Sequence, residues 1–177
     1  IEIGRRLNAP VDIVLVRKIG APGSPELAVG AVTDGAEPLT IINPDVARLT
    51  GAGDEYLQQA RARELAEIER RRKLYLGDRP RPSPTGRTAI IVDDGLATGA
   101  TARAAGAALR AQGVAHLVLA TPVAPAEAIA ALAGSFDDII CLEKPEPFYG
   151  VGAWYQDFHQ LSDEEVIEAL REYSVDC

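Results

Sequence analysis

Asp93 and Asp94 stand side by side at the end of the apolar run Ala89-Ile90-Ile91-Val92, and Gly95-Leu96-Ala97-Thr98-Gly99-Ala100-Thr101 follows them. Two adjacent carboxylates at a strand end suit a Mg2+ ion, which takes hard oxygen ligands, or the hydroxyls of a sugar. The loop after them is made of small residues and carries two hydroxyls. It leads into the alanine-rich run Ala102 to Gln112, which reads as a helix closed by Gly113. A helix N-terminus presents unpaired backbone N–H groups and a partial positive charge, so the loop suits a phosphate. Thr98 and Thr101 would add hydroxyl donors there, and Gly99 would let the backbone approach closely. Acids and loop together describe a site for a phosphorylated sugar. The four apolar residues before them predict a strand covered on both faces.

These thirteen residues resemble the motif by which type I phosphoribosyltransferases bind 5-phosphoribosyl 1-pyrophosphate (PRPP): a hydrophobic strand, two acids and a Thr-Gly-x-Thr loop. The other readings of the acids, a phosphorylation receiver or solvent-facing side chains, do not account for the adjacent loop. The resemblance implies an α/β fold, a mainly parallel sheet flanked by helices with a small hood over the acceptor. It also implies transfer of a 5-phosphoribosyl group from PRPP to a nucleobase or other amine, with release of pyrophosphate and dependence on Mg2+. Asp93 and Asp94 would serve catalysis and metal binding, and Ala97, Thr98, Gly99, Ala100 and Thr101 would hold the 5′-phosphate. Gly95 departs from the family, which usually has an aliphatic residue or serine at that point. A regulator that binds PRPP or a nucleotide without turnover is the alternative, because fold and ligand motif do not guarantee chemistry.

Arg17-Lys18 ends the predicted strand Val11–Val16, and the Gly- and Pro-rich stretch from Ile19 to Glu26 reads as a flexible loop after it. By the resemblance this basic pair faces pyrophosphate and joins the catalytic set, since fixed cations stabilise a leaving anion. Five of the nine aromatic residues lie between positions 148 and 158. Residues 142–158 resemble the hood of purine-salvage members, with Phe148 as the base-stacking ring, Tyr149 or Trp154 as substitutes, and Asp157 near the metal. A satellite hydrophobic cluster is the competing reading. Two groups that 6-oxopurine enzymes place around their base are absent: the loop acid is Ala97, and the lysine at the end of the next strand is replaced by Thr121-Pro122. The methyl of Ala97 neither moves protons nor donates hydrogen bonds. Guanine, hypoxanthine and xanthine are therefore disfavoured acceptors.

Around these residues the pattern alternates strands and helices, which predicts a parallel sheet with helices on its faces. Ile1–Leu7 reads as the tail of a helix. A hairpin around Asp34-Gly35 joins Leu27–Val32 to Leu39–Ile42. Pro44–Leu49 is a short helix, and Asp54–Leu76 is a long helical insertion stopped by Gly77. After a Pro-rich connector from Arg79 to Pro84 come the strand His116–Ala120, the helix Pro125–Ala133 and the strand Asp138–Leu142. Ser162-Asp163-Glu164-Glu165 is a capping box opening a last helix to about Glu172. With 177 residues the chain reads as a single domain, 1–177. Family members carry an upstream strand and a pyrophosphate loop that this sequence lacks, which implies further residues before Ile1.

The net charge of −8 argues against nucleic acid as a partner. No apolar run approaches the roughly 20 residues that span a bilayer. Cys141 and Cys177 form no disulfide framework, and the cytoplasm is the expected compartment. Residues 61–87 nonetheless hold nine Arg or Lys against four acids. The basic run from Arg70 to Lys73 reads as a solvated face, with a subunit contact in a homo-oligomer or an anionic effector site as alternatives. No cysteine or second histidine accompanies His116 or His159 at zinc-ligand spacing.

Overall fold

A computed structural model describes residues 1–35, 38–77, 79 and 81–173, so Pro80 of the connector and Cys177 lie outside it. In chain order the elements are α1 (Glu2–Leu7), β1 (Val16–Ala21), β2 (Ser24–Thr33), β3 (Thr40–Ile42), α2 (Pro44–Thr50) and α3 (Asp54–Leu76). There follow β4 (Thr88–Val92), α4 (Ala100–Ala111), β5 (His116–Val123), α5 (Ala126–Leu132), β6 (Asp138–Glu143), a 3-10 turn (Val151–Trp154) and α6 (Asp163–Glu172). Two three-stranded sheets form, in the orders β1-β2-β3 and β4-β5-β6. The described residues divide into two compact units, one drawn from 1–34, 42–83 and 159–173, the other from 35–41 and 84–158.

In the first unit β1 and β2 pair antiparallel through Ala21↔Ser24, so only Pro22 and Gly23 connect them. Proline presets φ for the first turn position, and Gly23 supplies φ 70° at the second. This corrects two expectations. The residues from Ile19 to Glu26 are the tip of a hairpin rather than a flexible loop. Arg17 and Lys18 lie at the start of β1 rather than after a strand over 11–16. Helix α3 has the predicted bounds. It buries Ala60, Glu64, Ile68 and Leu76, spaced to share one face, and Ala60 and Ile68 join Ile19, Val29 and Val32 of the hairpin in one core cluster. The capping box of α6 is formed: Ser162 Oγ accepts from Glu165 N, and a Glu165 carboxylate oxygen accepts from Ser162 N at 2.8 Å.

The second unit is two consecutive βαβ crossovers. Its sheet is parallel, with Ile90↔Val118 and Val92↔Ala120 on one side of β5 and Ala120↔Ile140 on the other. Helix α4 covers one face with small residues (Ala102, Ala104, Ala105, Ala108), which lets it sit closely on a core of Leu117, Leu119, Leu132 and Phe136. On the opposite face the β4 side chains are exposed. Ile90 and Val92 are 40 % and 55 % exposed, so β4 is not covered on both faces as its apolar run predicts. Alternation explains the difference: Ala89 and Ile91 point to the α4 core, and Ile90 and Val92 point away from it.

Candidate functional site

The acid pair follows the last residue of β4, at the carboxyl end of a parallel sheet, where α/β folds place ligands. Asp93 N donates to Ala120 O at 3.1 Å, and Leu96 N donates to Val123 O at 3.0 Å. The chain between them is thus clamped to the end of β5. Inside the clamp Asp93 Oδ1 accepts from Gly95 N at 3.2 Å, a turn that fixes the carboxylate relative to its own backbone. Asp93 is half-buried and Asp94 exposed. Burial pushes the Asp93 carboxyl above the usual carboxylate range; the Gly95 N–H opposes that shift and the neighbouring Asp94 adds to it. An anion pair held so close is one that a cation or several hydroxyl donors would relieve.

The phosphate-loop candidates follow directly. Ala97, Thr98, Ala100 and Thr101 are exposed and Gly99 is buried. Helix α4 starts at Ala100 without a side-chain cap and with no acid in its first turn, so the positive end of its dipole is not offset locally. Thr98 Oγ1 accepts from Ala100 N at a long 3.4 Å. Gly99 has φ 71°, and a Cβ there would lie 2.6 Å from Cδ1 of the fully buried Leu132. Gly99→Val is therefore expected to cost about 2–3 kcal/mol of stability, from left-handed strain and overpacking together. Urea unfolding checks this, and a loss below about 1 kcal/mol contradicts it.

The remaining predicted residues fall in different places. Arg17 and Lys18 belong to the first unit, where each meets a carboxylate: Arg17 Nε donates to Glu64 Oε2 at 3.0 Å, and Lys18 Nζ to Glu26 Oε2 at 3.0 Å. Phe148 is half-buried, whereas Tyr149 and Trp154 are exposed. Asp157 is exposed, and no group of three His, Cys, Asp or Glu side chains gathers at metal-binding distance among the described residues. Asp93 and Asp94 are thus brought together with residues 97–101, and Asp157 is not drawn into a three-acid cluster with them. One residue escaped the sequence reading. Tyr155 donates its hydroxyl to the backbone carbonyl of Asp94 at 2.5 Å and packs on Phe158, ring centroids 5.1 Å apart. Its only sequence signal was membership of the aromatic-rich segment.

Thr121, where 6-oxopurine enzymes place a lysine, is 3 % exposed and turns its hydroxyl to Val123 O at 3.3 Å. No described helix is long and apolar enough to cross a membrane. The comparisons with known proteins agree with this fold. The crystal structure of TT1426 from Thermus thermophilus superposes with a TM-score of 0.80 at 39 % identity, covering 98 % of this chain and 81 % of that one. Two Mycobacterium tuberculosis proteins, from strains CDC 1551 and H37Rv, each carry the name "Putative phosphoribosyl transferase" and are 42 % identical over 169 residues. That match takes in 96 % of this chain but 38 % of each relative, so the chain spans well under half the length of the curated relatives it matches. A family profile described as "Phosphoribosyl transferase domain" matches residues 2–152. The chain belongs to the phosphoribosyl transferase domain family.

Proposed function

We propose that the chain is a Mg2+-dependent transferase that moves the 5-phosphoribosyl group of PRPP to a nucleobase or other amine and releases pyrophosphate. The observation that carries this reading is the clamped acid pair directly followed by an exposed, uncapped helix N-terminus. In this reading residues 97–101 hold the 5′-phosphate, and Asp93 and Asp94 hold the ribose hydroxyls or the metal. Both ends of the donor are then fixed, C1 faces the acceptor, and the barrier falls by positioning. As the bond from C1 to pyrophosphate breaks, positive charge grows on the ribose ring, and the two carboxylates favour it.

The donor set suits Mg2+, because carboxylate oxygens are the hard ligands it takes. When bound, the ion supplies charge neutralisation to the pyrophosphate oxygens. Asp93 and Asp94 would hold it, with Asp157 as a further ligand by resemblance. Arg17 and Lys18 would face the leaving anion after exchanging Glu64 and Glu26 for it. Phe148, Tyr149 and Trp154 are the rings available to stack on a base. In this reading 1–177 is one functional domain, with 54–76 as a helical insertion and 142–158 as the hood, working in the cytoplasm where PRPP is found.

The second reading, a PRPP- or nucleotide-binding regulator without turnover, draws support from the ion pairs that already occupy Arg17 and Lys18. Pyrophosphate release at saturating PRPP and Mg2+, across guanine, hypoxanthine, adenine, uracil and orotate, separates the two. Ala97 and the inward-turned Thr121 lead us to expect release without guanine or hypoxanthine as efficient acceptors. Rapid turnover of either would overturn the acceptor argument. Tight PRPP binding with no release from any base would favour the regulator, and failure to bind PRPP would sink both.

A further inference from the structure

The turn that carries the acid pair is held from two sides. The sheet grips it through Ala120 O and Val123 O. The segment after β6 grips it through Tyr155, whose hydroxyl donates to Asp94 O from sixty-one residues away. Beside that bond Val151 occupies the space that Gly95 leaves. A Cβ on Gly95 would lie 2.3 Å from Val151 Cγ1 and 3.1 Å from Val123 Cγ1. Val151 opens the 3-10 turn and Tyr155 caps it, so one short piece of chain presents both contacts. Phe158 backs the Tyr155 ring and lies against Gly152, where a Cβ would be 2.9 Å from Phe158 Cδ1.

The carbonyl of Asp94 and the N–H of Gly95 belong to one planar peptide unit. Tyr155 holds the carbonyl end of that unit, and Asp93 Oδ1 accepts from the N–H end. Turning the plane therefore moves the donor that orients the Asp93 carboxylate. The three groups form a continuous hydrogen-bonded chain, in which each bond polarises the next.

We propose that Tyr155 is a positioning residue for the acid pair: through the Asp94–Gly95 peptide it sets the direction of the Asp93 carboxylate, and with Val151 on Gly95 it ties that direction to the place of residues 148–158. The inference rests on the reading of Asp93 and Asp94 as the sugar- and metal-binding pair. It explains the glycine at position 95, since any larger residue there would push Val151 and the 3-10 turn away. It also couples donor binding to the segment that carries the aromatic rings. Trp154, the only tryptophan of the chain, is next to Tyr155 and reports that coupling.

Tyr155→Phe keeps the ring on Phe158 and removes only the hydroxyl. In the ligand-free protein, acrylamide quenching of Trp154 is expected to rise. In calorimetric titration with PRPP and Mg2+, affinity is expected to fall about three- to tenfold, as for one lost hydrogen bond, and the Trp154 fluorescence response to PRPP to shrink. Gly95→Ala should raise quenching in the same way, and adding Val151→Ala should restore it. A parent and a Tyr155→Phe variant with equal affinity and equal Trp154 response would overturn the proposal. Should the parent itself not bind PRPP, the reading of the acid pair fails. The positioning role of Tyr155 is then decided by quenching in the free proteins, where no change in either variant overturns it.

Discussion

Asp93→Asn combined with Asp94→Asn is expected to weaken Mg2+-dependent PRPP binding roughly a hundredfold or more, while the protein melts no lower than its parent. The two effects separate because of how Asp93 is held. Asparagine keeps a side-chain oxygen that can accept from Gly95 N, so the turn survives the exchange. Only the charge is removed. Charge-assisted hydrogen bonds contribute about 1.5–3 kcal/mol each, and losing two gives a factor of at least a hundred. On the stability side, burial and the adjacent Asp94 disfavour an ionised Asp93, so neutral side chains relieve a cost of the folded state. Residues kept against their own stability are common where a ligand must be bound. Calorimetric titration and thermal melting of the same two preparations decide the matter. Unchanged affinity in a folded variant would make the pair structural; lost affinity with a large drop in melting temperature would mean that the turn itself had collapsed.

What could be read from the sequence was mostly what is local. The acid pair and residues 97–101 are contiguous, so their types and order describe a site before any fold is known. Helix α3 was legible end to end because Gly53 and Gly77 bracket a run of good helix formers, and α6 because its capping box is a four-residue pattern. The failures are where a local pattern has two structural solutions. Ile19 to Glu26 is rich in Gly and Pro, which suits a long loop as well as a strand that bulges at Gly20 and turns tightly at Pro22-Gly23. The run Ala89–Val92 announces a strand but not how many of its faces are covered. The bond from Tyr155 to Asp94 and the contact of Val151 with Gly95 bridge more than fifty residues, and no spacing rule reaches that far. The Gly95 departure was visible as an oddity, and the fold supplies the reason for it.

The other large effect is expected in the first unit, at Arg81. In the first unit Asp34 is 4 % exposed, and Arg81 Nη2 donates both to its carboxylate and to Ile13 O. Arg81 Nε lies 3.3 Å from Asp12 Oδ2, close enough to pair but without hydrogen-bond alignment. Burial pushes the Asp34 carboxyl above its ordinary range by more than the guanidinium draws it down. Arg81→Met would strand that carboxylate, and removing one partner of a buried pair costs about 3–5 kcal/mol. The pH dependence follows from the sign of the shift. A carboxyl raised in the folded state binds its proton there first, so the native protein holds more protons than the unfolded chain between the two pKa values. Stability then falls as pH rises through that window and is fully present below the unfolded value. Without Arg81 the carboxyl rises further, so the deficit of the variant against its parent should be largest near neutrality and narrow as the pH is lowered towards about 4. Adding Asp34→Asn to Arg81→Met should recover most of the loss at neutral pH, because no buried charge is left unpaired. Urea unfolding of the three proteins between roughly pH 4 and 8 tests each step. A deficit of under about 1 kcal/mol at neutral pH, or one that does not shrink on acidification, would show that Asp34 does not depend on Arg81.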